Sequence, residues 1–398
     1  MNGDETGEAK PRTDRPRWRQ VGSFLALTFG LTWLLDLAIY LRGGLSIPGL
    51  ILGLQLQMLL PAFSAIVLGI FFFKESPLHH SKWRELRREF SVTARIPPTA
   101  GRGRWFFYYF LLLTAVYALA AIAVAIQPGL LPTLSALTSI LMLLGLVLLI
   151  GLRLAGGREA MSRVWLSWGR ARYWVLFGVA VIAFYGLQTL LNYAFGLGKV
   201  ADLTSLLPQT GMDANTLKVV LSVQTLFVGP FLGLVVAFGE EYGWRGYLQH
   251  ELIKMGRVRG VGLLGVIWGI WHAPIILMGY NYPGHPVLGV LLMTLYTVGL
   301  GYFLSYAVLK SGSVLLAAFL HALNNQTLGY FTLLYYIPKD MAFSFGIGIY
   351  GLVTLAVITL LILRDPIWRE EASSASGLTA GEGSVVRKDS RGIGSATG

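Results

Sequence analysis

Long apolar runs, separated by short polar segments, follow one another along most of the chain. A helix crosses a hydrocarbon core of about 30 Å with about 20 apolar residues, and about ten runs approach that length. They cover residues 21–41, 49–73, 105–127, 131–152, 173–197, 216–239, 258–279, 287–309, 313–336 and 343–363. Because backbone groups without hydrogen-bond partners are costly in lipid, the pattern predicts an all-α, polytopic transmembrane helical bundle.

The composition supports the same fold class. Of 398 residues, 55% are hydrophobic and only 13% are charged, whereas a soluble domain carries about 25% charged residues. We therefore expect an integral, multi-pass membrane protein that contacts the lipid bilayer, in the cell membrane if the source is prokaryotic. The chain contains no cysteine, which excludes a thiolate nucleophile, a thiolate metal site and a disulfide framework.

The formal net charge of +12 has an uneven distribution across the predicted membrane. When the ten runs are placed across the membrane in alternating directions with the N-terminus inside, most of the 32 Lys and Arg residues fall on the cytoplasmic side. The exceptions are Arg42, Lys199, Lys218 and Lys339. Basic loops stay on the cytoplasmic side, so we predict that both termini are cytoplasmic. No compact basic domain stands outside the apolar runs, and we expect no nucleic-acid partner.

The order of polar and apolar segments suggests four regions. We expect a polar cytoplasmic N-terminal tail, a first group of transmembrane helices with a basic cytoplasmic loop, a second group of transmembrane helices, and a cytoplasmic tail whose Gly, Ser and Ala content predicts disorder. These regions cover residues 1–20, 21–200 with the loop at 74–104, 201–364, and 365–398.

Ionisable side chains inside membrane spans are costly, and they are functional candidates for that reason. They concentrate between residues 239 and 325. In the sixth run, Glu241 and Arg245 lie four residues apart with the acid first, an order that favours an ion pair on a helix. Glu240 points about 100° away and has no partner in its own helix. The alternative interpretation of this cluster is a charged helix end at the cytoplasmic interface.

The seventh run contains an aromatic and histidine cluster, Trp268 to Pro274. His272 shares a helix face with Gly262, Gly265 and Gly269, and such a glycine stripe lets a second helix approach closely. We therefore expect His272 to face the protein interior. The alternative is a histidine that serves packing alone, hydrogen-bonded to a backbone carbonyl.

The ninth run carries His321 and Asn325, which lie four residues apart and project together. Asn324 lies near the same face, so spacing does not decide between the two asparagines. The alternative interpretation is that these side chains only link helices by hydrogen bonds, as His and Asn often do in bundles.

Together the three clusters supply a carboxylate, two imidazoles and a carboxamide. These groups can activate a water molecule and stabilise an oxyanion. Glu240, His272 and His321 could also bind a divalent metal such as zinc, although the spacing does not require one. The chain contains neither a Gly-x-Ser-x-Gly nucleophile elbow nor a His-Glu-x-x-His motif.

The three motifs, in this order, resemble the CPBP family of type II CAAX prenyl endopeptidases and bacteriocin-processing or abortive-infection proteins. The resemblance covers about residues 210–340. It implies a glutamate-dependent intramembrane endopeptidase in which Glu240 and His272 activate water. It also implies that His321 and Asn325 form an oxyanion hole.

The resemblance assigns the remaining motif residues as well. Glu241 and Arg245 would form a structural ion pair that shapes the site. The family motif before the histidine usually begins with Phe, and this chain has Trp268 instead. We expect Trp268 to line the pocket and to change its size. Some family members are described as metalloproteases.

Peptide-bond hydrolysis in a membrane protein or membrane-associated peptide substrate is thus the leading hypothesis. A non-catalytic immunity or scaffold protein of the same family is the main alternative. A transporter that uses the same residues to carry protons is a third, although the two halves show no inverted repeat.

Overall fold

The computed structural model describes residues 15–79, 103–162, 164–203 and 207–370, and helices lie at all ten predicted runs. The main helices are α1 (Trp18–Arg42), α2 (Leu50–Val67), α3 (Arg104–Ile126), α4 (Leu131–Ser162), α5 (Ala171–Ala194), α6 (Ala214–Val223), α7 (Leu234–Glu241), α8 (Arg257–Trp271), α9 (Pro286–Ser311), α10 (Val314–Leu334) and α11 (Ile349–Ile362). The all-α, polytopic fold class is confirmed.

Shorter elements continue or connect these helices. They are π-helical turns at Leu68–Phe72, Gln224–Val228 and Tyr242–Leu248, short α-helices at Leu207–Thr210, Gly229–Leu232, Gln249–Leu252 and Ala273–Leu277, and 3₁₀ turns at Gly44–Ser46, Pro128–Leu130, Ile253–Met255 and Pro366–Trp368. Strands β1 (Gly198–Val200) and β2 (Tyr336–Pro338) form a small antiparallel sheet in which Lys199 lies opposite Ile337. The described part of the chain is otherwise helical or irregular.

Seven helices among the described residues are long and apolar enough to cross a membrane. The predicted runs outside this set contain α8, α10 and α11. Helix α8 has 15 residues and α11 has 14, while α10 has 21 residues but carries His321 and two asparagines. Most of α10 is buried in the bundle, so neighbouring helices shield His321 and Asn324 from lipid.

Contacts between helix ends show which connections lie at the same end of the bundle. They define two faces, one at each end. On the first face, Arg17 contacts Glu75 and Glu251, and Arg257 binds Glu370 at 3.0 Å. We call this the basic face. On the second face, β1 pairs with β2. We call this the strand face. Successive helix ends alternate between the two faces, which fits ten passages of the chain through the bundle.

Helix α7 lies in the centre of the bundle, between α2 and α10. Its approach to α2 depends on Gly239, because a Cβ atom there would lie 2.4 Å from the carbonyl oxygen of Met58. Helices α8 and α9 pack equally closely at the predicted glycine stripe. A Cβ atom at Gly269 would lie 2.4 Å from the Cα of Thr294. These approaches bring the polar residues of three helices together.

The structure describes the four predicted regions to different extents. Much of the N-terminal tail (1–20), the basic loop (74–104) and the C-terminal tail (365–398) lies outside the described residues. Helices from the first group pack directly on the second, as in the edge-to-face contact between Phe106 and Phe238 at 5.1 Å. Both groups therefore contribute to one hydrophobic core.

Candidate active site

The two adjacent glutamates of α7 are deeply buried. Glu240 is 2% exposed and Glu241 is 0% exposed. The helical segment continues past them through the turn Tyr242–Leu248 to Leu252, and every residue of it except His250 is buried. The alternative interpretation of this cluster as a charged helix end at the interface is therefore wrong. Tyr242–Leu248 is a π-helical turn, and such turns are frequent at functional sites.

One oxygen of Glu241 accepts two hydrogen bonds. Arg245 Nη1 donates to Glu241 Oε1 at 3.0 Å, and His321 Nδ1 donates to the same oxygen at 2.7 Å. The Arg245 guanidinium also lies 4.1 Å from the centroid of the Trp268 ring, a cation–π contact. Sequence spacing indicates the Arg245 contact, but it contains no signal for the contact with His321.

Glu240 has its partner on another helix. Trp268 Nε1 on α8 donates to Glu240 Oε2 at 2.7 Å, and both side chains are buried. Trp268 therefore holds the carboxylate as well as lining the pocket. A Phe at this position would have no N–H group with which to do so.

His272 lies at the break that ends α8. Pro274 follows two residues later, and its ring and missing N–H prevent the α-helix from continuing unchanged. His272 Nδ1 lies 2.9 Å from the carbonyl oxygen of Trp268. A carbonyl only accepts, so Nδ1 carries the proton and Nε2 of the neutral ring keeps its lone pair. This ring has the form that a general base requires.

The structure distinguishes Asn324 from Asn325. Asn324 is buried, and its Oδ1 accepts hydrogen bonds from Tyr185 and Tyr296, both at 3.0 Å. Asn324 Nδ2 donates to Asn325 Oδ1 at 3.2 Å. Asn325 is exposed at the pocket. Because its oxygen is engaged by Asn324, its amide N–H groups are left to donate to a bound molecule.

A cavity of about 190 Å³ brings these residues together. Its lining includes Glu240, Trp268, His272, His321 and Asn325, contributed by α7, α8, α10 and the break after α8. Glu241 and Arg245 are not among the described lining residues and contact it through His321 and Trp268. The volume accommodates several water molecules.

The predicted metal ligands do not form a metal site in this arrangement. Among the described residues, no three His, Asp or Glu side chains are grouped so that they could hold a metal ion. Both histidines use Nδ1 for a hydrogen bond, His321 to Glu241 and His272 to the Trp268 carbonyl, so that only Nε2 of each ring is left for other contacts.

Sequence reasoning missed a polar pair from the first two helices. Gln57 on α2 lines the cavity, and its Nε2 donates to Asp36 Oδ2 on α1 at 3.4 Å. Asp36 is 1% exposed. A carboxylate inside an apolar run is a signal that could have found the pair, because such residues are rare in membrane spans.

The fold and this site define an all-helical, CAAX-protease-like integral membrane protein. A family model described as type II CAAX prenyl endopeptidase, Rce1-like, matches residues 222–327. The match runs from the end of α6 through the first two thirds of α10, and so includes all three motifs. Over this segment the chain is similar to the Rce1-like family, as the motifs indicate. Comparisons with curated proteins and with solved structures found no match.

Proposed function

We propose that this protein is an intramembrane endopeptidase that hydrolyses peptide bonds of membrane-associated proteins or peptides. The observation that carries the proposal is one cavity lined by Glu240, His272, His321 and Asn325. Four groups suited to hydrolysis come from helices that are separate in sequence, and each is held by a defined neighbour. Polar side chains that served only to link helices would not need to converge on one cavity.

Glu240 and His272 are the groups suited to activate water. The indole N–H of Trp268 holds one oxygen of Glu240, and His272 presents the lone pair of Nε2. A water between them would lose a proton to one of these bases as its oxygen attacks the scissile carbonyl carbon. The new C–O bond forms while the carbonyl π electrons move to its oxygen, which becomes an oxyanion.

His321 and Asn325 are the groups suited to stabilise that oxyanion. Asn325 can donate an amide N–H, as described above. His321 already donates from Nδ1 to Glu241, so it can donate from Nε2 only as an imidazolium. The Glu241 carboxylate, 2.7 Å from His321 Nδ1, would balance the charge of that imidazolium. When the tetrahedral intermediate collapses, the C–N bond breaks and the protonated base returns its proton to the leaving amine.

The substrate proposal follows the description of the matched family, type II CAAX prenyl endopeptidase. A peptide with a prenyl group would need apolar surroundings beside the cavity. A smaller apolar pocket of about 70 Å³ lies next to it. Its lining includes Val181, Phe184 and Phe303, and it shares Tyr296, Leu300 and Asn324 with the larger cavity. A farnesylated CAAX peptide is therefore the first substrate to test.

The decisive experiment replaces Glu240 with Gln in the purified full-length protein. Cleavage of an internally quenched farnesylated CAAX peptide should fall at least about 100-fold, the usual contribution of a positioned acid–base group. Glu75→Gln is the matched control, since Glu75 is 70% exposed on the basic face, and it should cleave normally. Wild-type activity in Glu240→Gln protein contradicts the proposal. A folded wild-type protein that cleaves neither this peptide nor unmodified membrane peptides supports the non-catalytic alternative.

A further inference from the structure

The catalytic cavity is closed toward the basic face. Five large side chains lie on that side of the site, and all are completely buried. They are Trp244, Leu248, Leu264, Leu304 and Leu316. They come from the π-helical turn after α7 and from the basic-face halves of α8, α9 and α10. None of these side chains lines the cavity, so the buried layer that they form separates the cavity from the basic face.

The cavity extends toward the strand face instead. Leu54 lies one turn into α2 from its strand-face end, and Leu328 lies in the last third of α10. Tyr280 and Ile347 belong to the strand-face connections before α9 and before α11. Among the described lining residues, none belongs to a connection on the basic face.

Residues 314–324 of α10 are all buried, and the exposed positions of this helix begin at Asn325. His321 and Asn324 are buried, whereas Asn325 is exposed. Leu328, one turn farther toward the strand face, is half-buried and still lines the cavity. The accessible end of the site therefore lies between Asn325 and the strand-face connections.

The strand face is the side with few basic residues. Among the Lys and Arg residues that the structure describes, only Arg42, Lys199, Lys218 and Lys339 fall at helix ends or connections of this face. The positive-inside rule assigns such a side to the non-cytoplasmic surface of the membrane. We propose that substrate enters the catalytic cavity from the non-cytoplasmic side, so that the enzyme cleaves exported or outer-leaflet segments.

This inference rests on the proposed endopeptidase function and restricts its substrate class. A peptide anchored in the cytoplasmic leaflet would meet the buried layer on the basic face. A segment emerging on the other side would reach Asn325 and the water-activating pair directly. Peptides after export, or lipid-anchored peptides of the outer leaflet, meet this requirement.

Cysteine labelling tests the direction of entry without any cleavage assay. The chain lacks cysteine, so each single-cysteine variant has one reactive site. Tyr280→Cys and Leu328→Cys report on the cavity; Asn281 is avoided because its φ of 64° is left-handed. Lys199→Cys marks the strand face, where it is exposed, and Glu75→Cys marks the basic face.

Each variant is treated with a membrane-impermeant maleimide in intact spheroplasts and in inverted vesicles. Cysteines at Lys199, Tyr280 and Leu328 should label at least tenfold faster in spheroplasts, and the cysteine at Glu75 at least tenfold faster in inverted vesicles. Labelling of the cavity cysteines from the side of Glu75, or from neither side, overturns the inference. So does faster labelling of the cysteine at Lys199 in inverted vesicles.

The labelling result and the function are separable. If Glu240→Gln abolishes cleavage while the cavity cysteines label from the basic face, the protease proposal stands and the direction of entry fails. If the cavity cysteines label from the strand face but Glu240→Gln remains active, the entry path exists and the catalytic assignment fails.

Discussion

At the scale of single residues, the carboxylate of Glu241 holds the site together. It accepts from Arg245 on its own helical segment and from His321 on α10, 80 residues away. Arg245 in turn lies over Trp268, whose indole N–H binds Glu240. The ion pair and the water-activating carboxylate are thus connected through one tryptophan. Spacing within a helix predicts only the first of these contacts.

Glu241→Gln should therefore destabilise the protein strongly. It leaves the guanidinium of Arg245 buried without a carboxylate, and breaking a buried ion pair by removing one partner costs about 3–5 kcal/mol. Glu240→Gln is the matched control, because it keeps the Arg245–Glu241 pair and should cost clearly less. The free energy of unfolding in mixed micelles measures both.

A double variant separates the effect of the unpaired charge from the effect of changing the side chain. Glu241→Gln with Arg245→Met removes both charges, so that neither charge is left buried without its partner. Its stability should recover a large part of the loss seen in Glu241→Gln. Equal losses for Glu240→Gln and Glu241→Gln would show that the shared carboxylate has no special structural role.

At the scale of elements, close helix contacts decide where the polar residues meet. Helix α7 can lie against α2 because Gly239 has no side chain, and α8 can lie against α9 because of Gly269. The glycine stripe of α8 is visible in the sequence. Its partner helix is not, since any neighbouring helix could fill the groove. Ser313 caps the N-terminus of α10, and its Oγ accepts from the backbone N–H of Leu316 at 3.0 Å.

Gly239→Ala tests the contact between α7 and α2. The added Cβ would lie 2.4 Å from the Met58 carbonyl oxygen and 2.6 Å from the Leu59 Cα, and backbone atoms cannot give way as a flexible side chain can. Overpacking of this kind costs about 1–3 kcal/mol. We also expect reduced peptidase activity, because Glu240 is the next residue.

Gly30→Ala provides the matched control for this substitution. Gly30 lies within α1, and a Cβ atom there would meet nothing within 4 Å. Ala favours a helix over Gly by about 1 kcal/mol, so this variant should be as stable as the wild type or more so. Equal melting temperatures for Gly239→Ala and wild-type protein would contradict the close contact.

At the scale of the whole molecule, a charged cluster on the basic face joins three helical segments. Arg17, before α1, binds both Glu75, after α2, and Glu251, in the segment that follows α7. Lys254 Nζ also donates to Glu251 Oε2, at 3.0 Å. This cluster lies behind the buried layer that closes the cavity on that side.

The stability of the protein should depend on pH through Glu251. Burial raises the pKa of Glu251, but hydrogen bonds from Arg17 and Lys254 outweigh it and lower the pKa from 4.5 to about 2. Because the folded-state pKa is the lower one, the stabilisation is fully present above pH 4.5 and is lost as pH falls toward 2. Melting temperatures between pH 6 and pH 3 measure it.

Glu251→Gln is the control for this dependence. The variant lacks the titrating group and should show a smaller decrease in melting temperature over the same pH interval. An unchanged pH dependence would mean that other carboxylates account for acid destabilisation.

The sequence by itself determined that this protein lies in a lipid bilayer, that its fold is all-α, and where its polar clusters lie along the chain. Hydropathy and i,i+4 spacing are local properties, so the ten helical segments and the Glu241–Arg245 contact could be predicted without neighbours. Tertiary structure alone decided that Glu240 is buried rather than interfacial, that Trp268 binds it, and that Asn325 rather than Asn324 is free to donate. It also decided which end of the cavity is closed. Each of these depends on side chains from separate helices, which are brought into contact only when the helices pack.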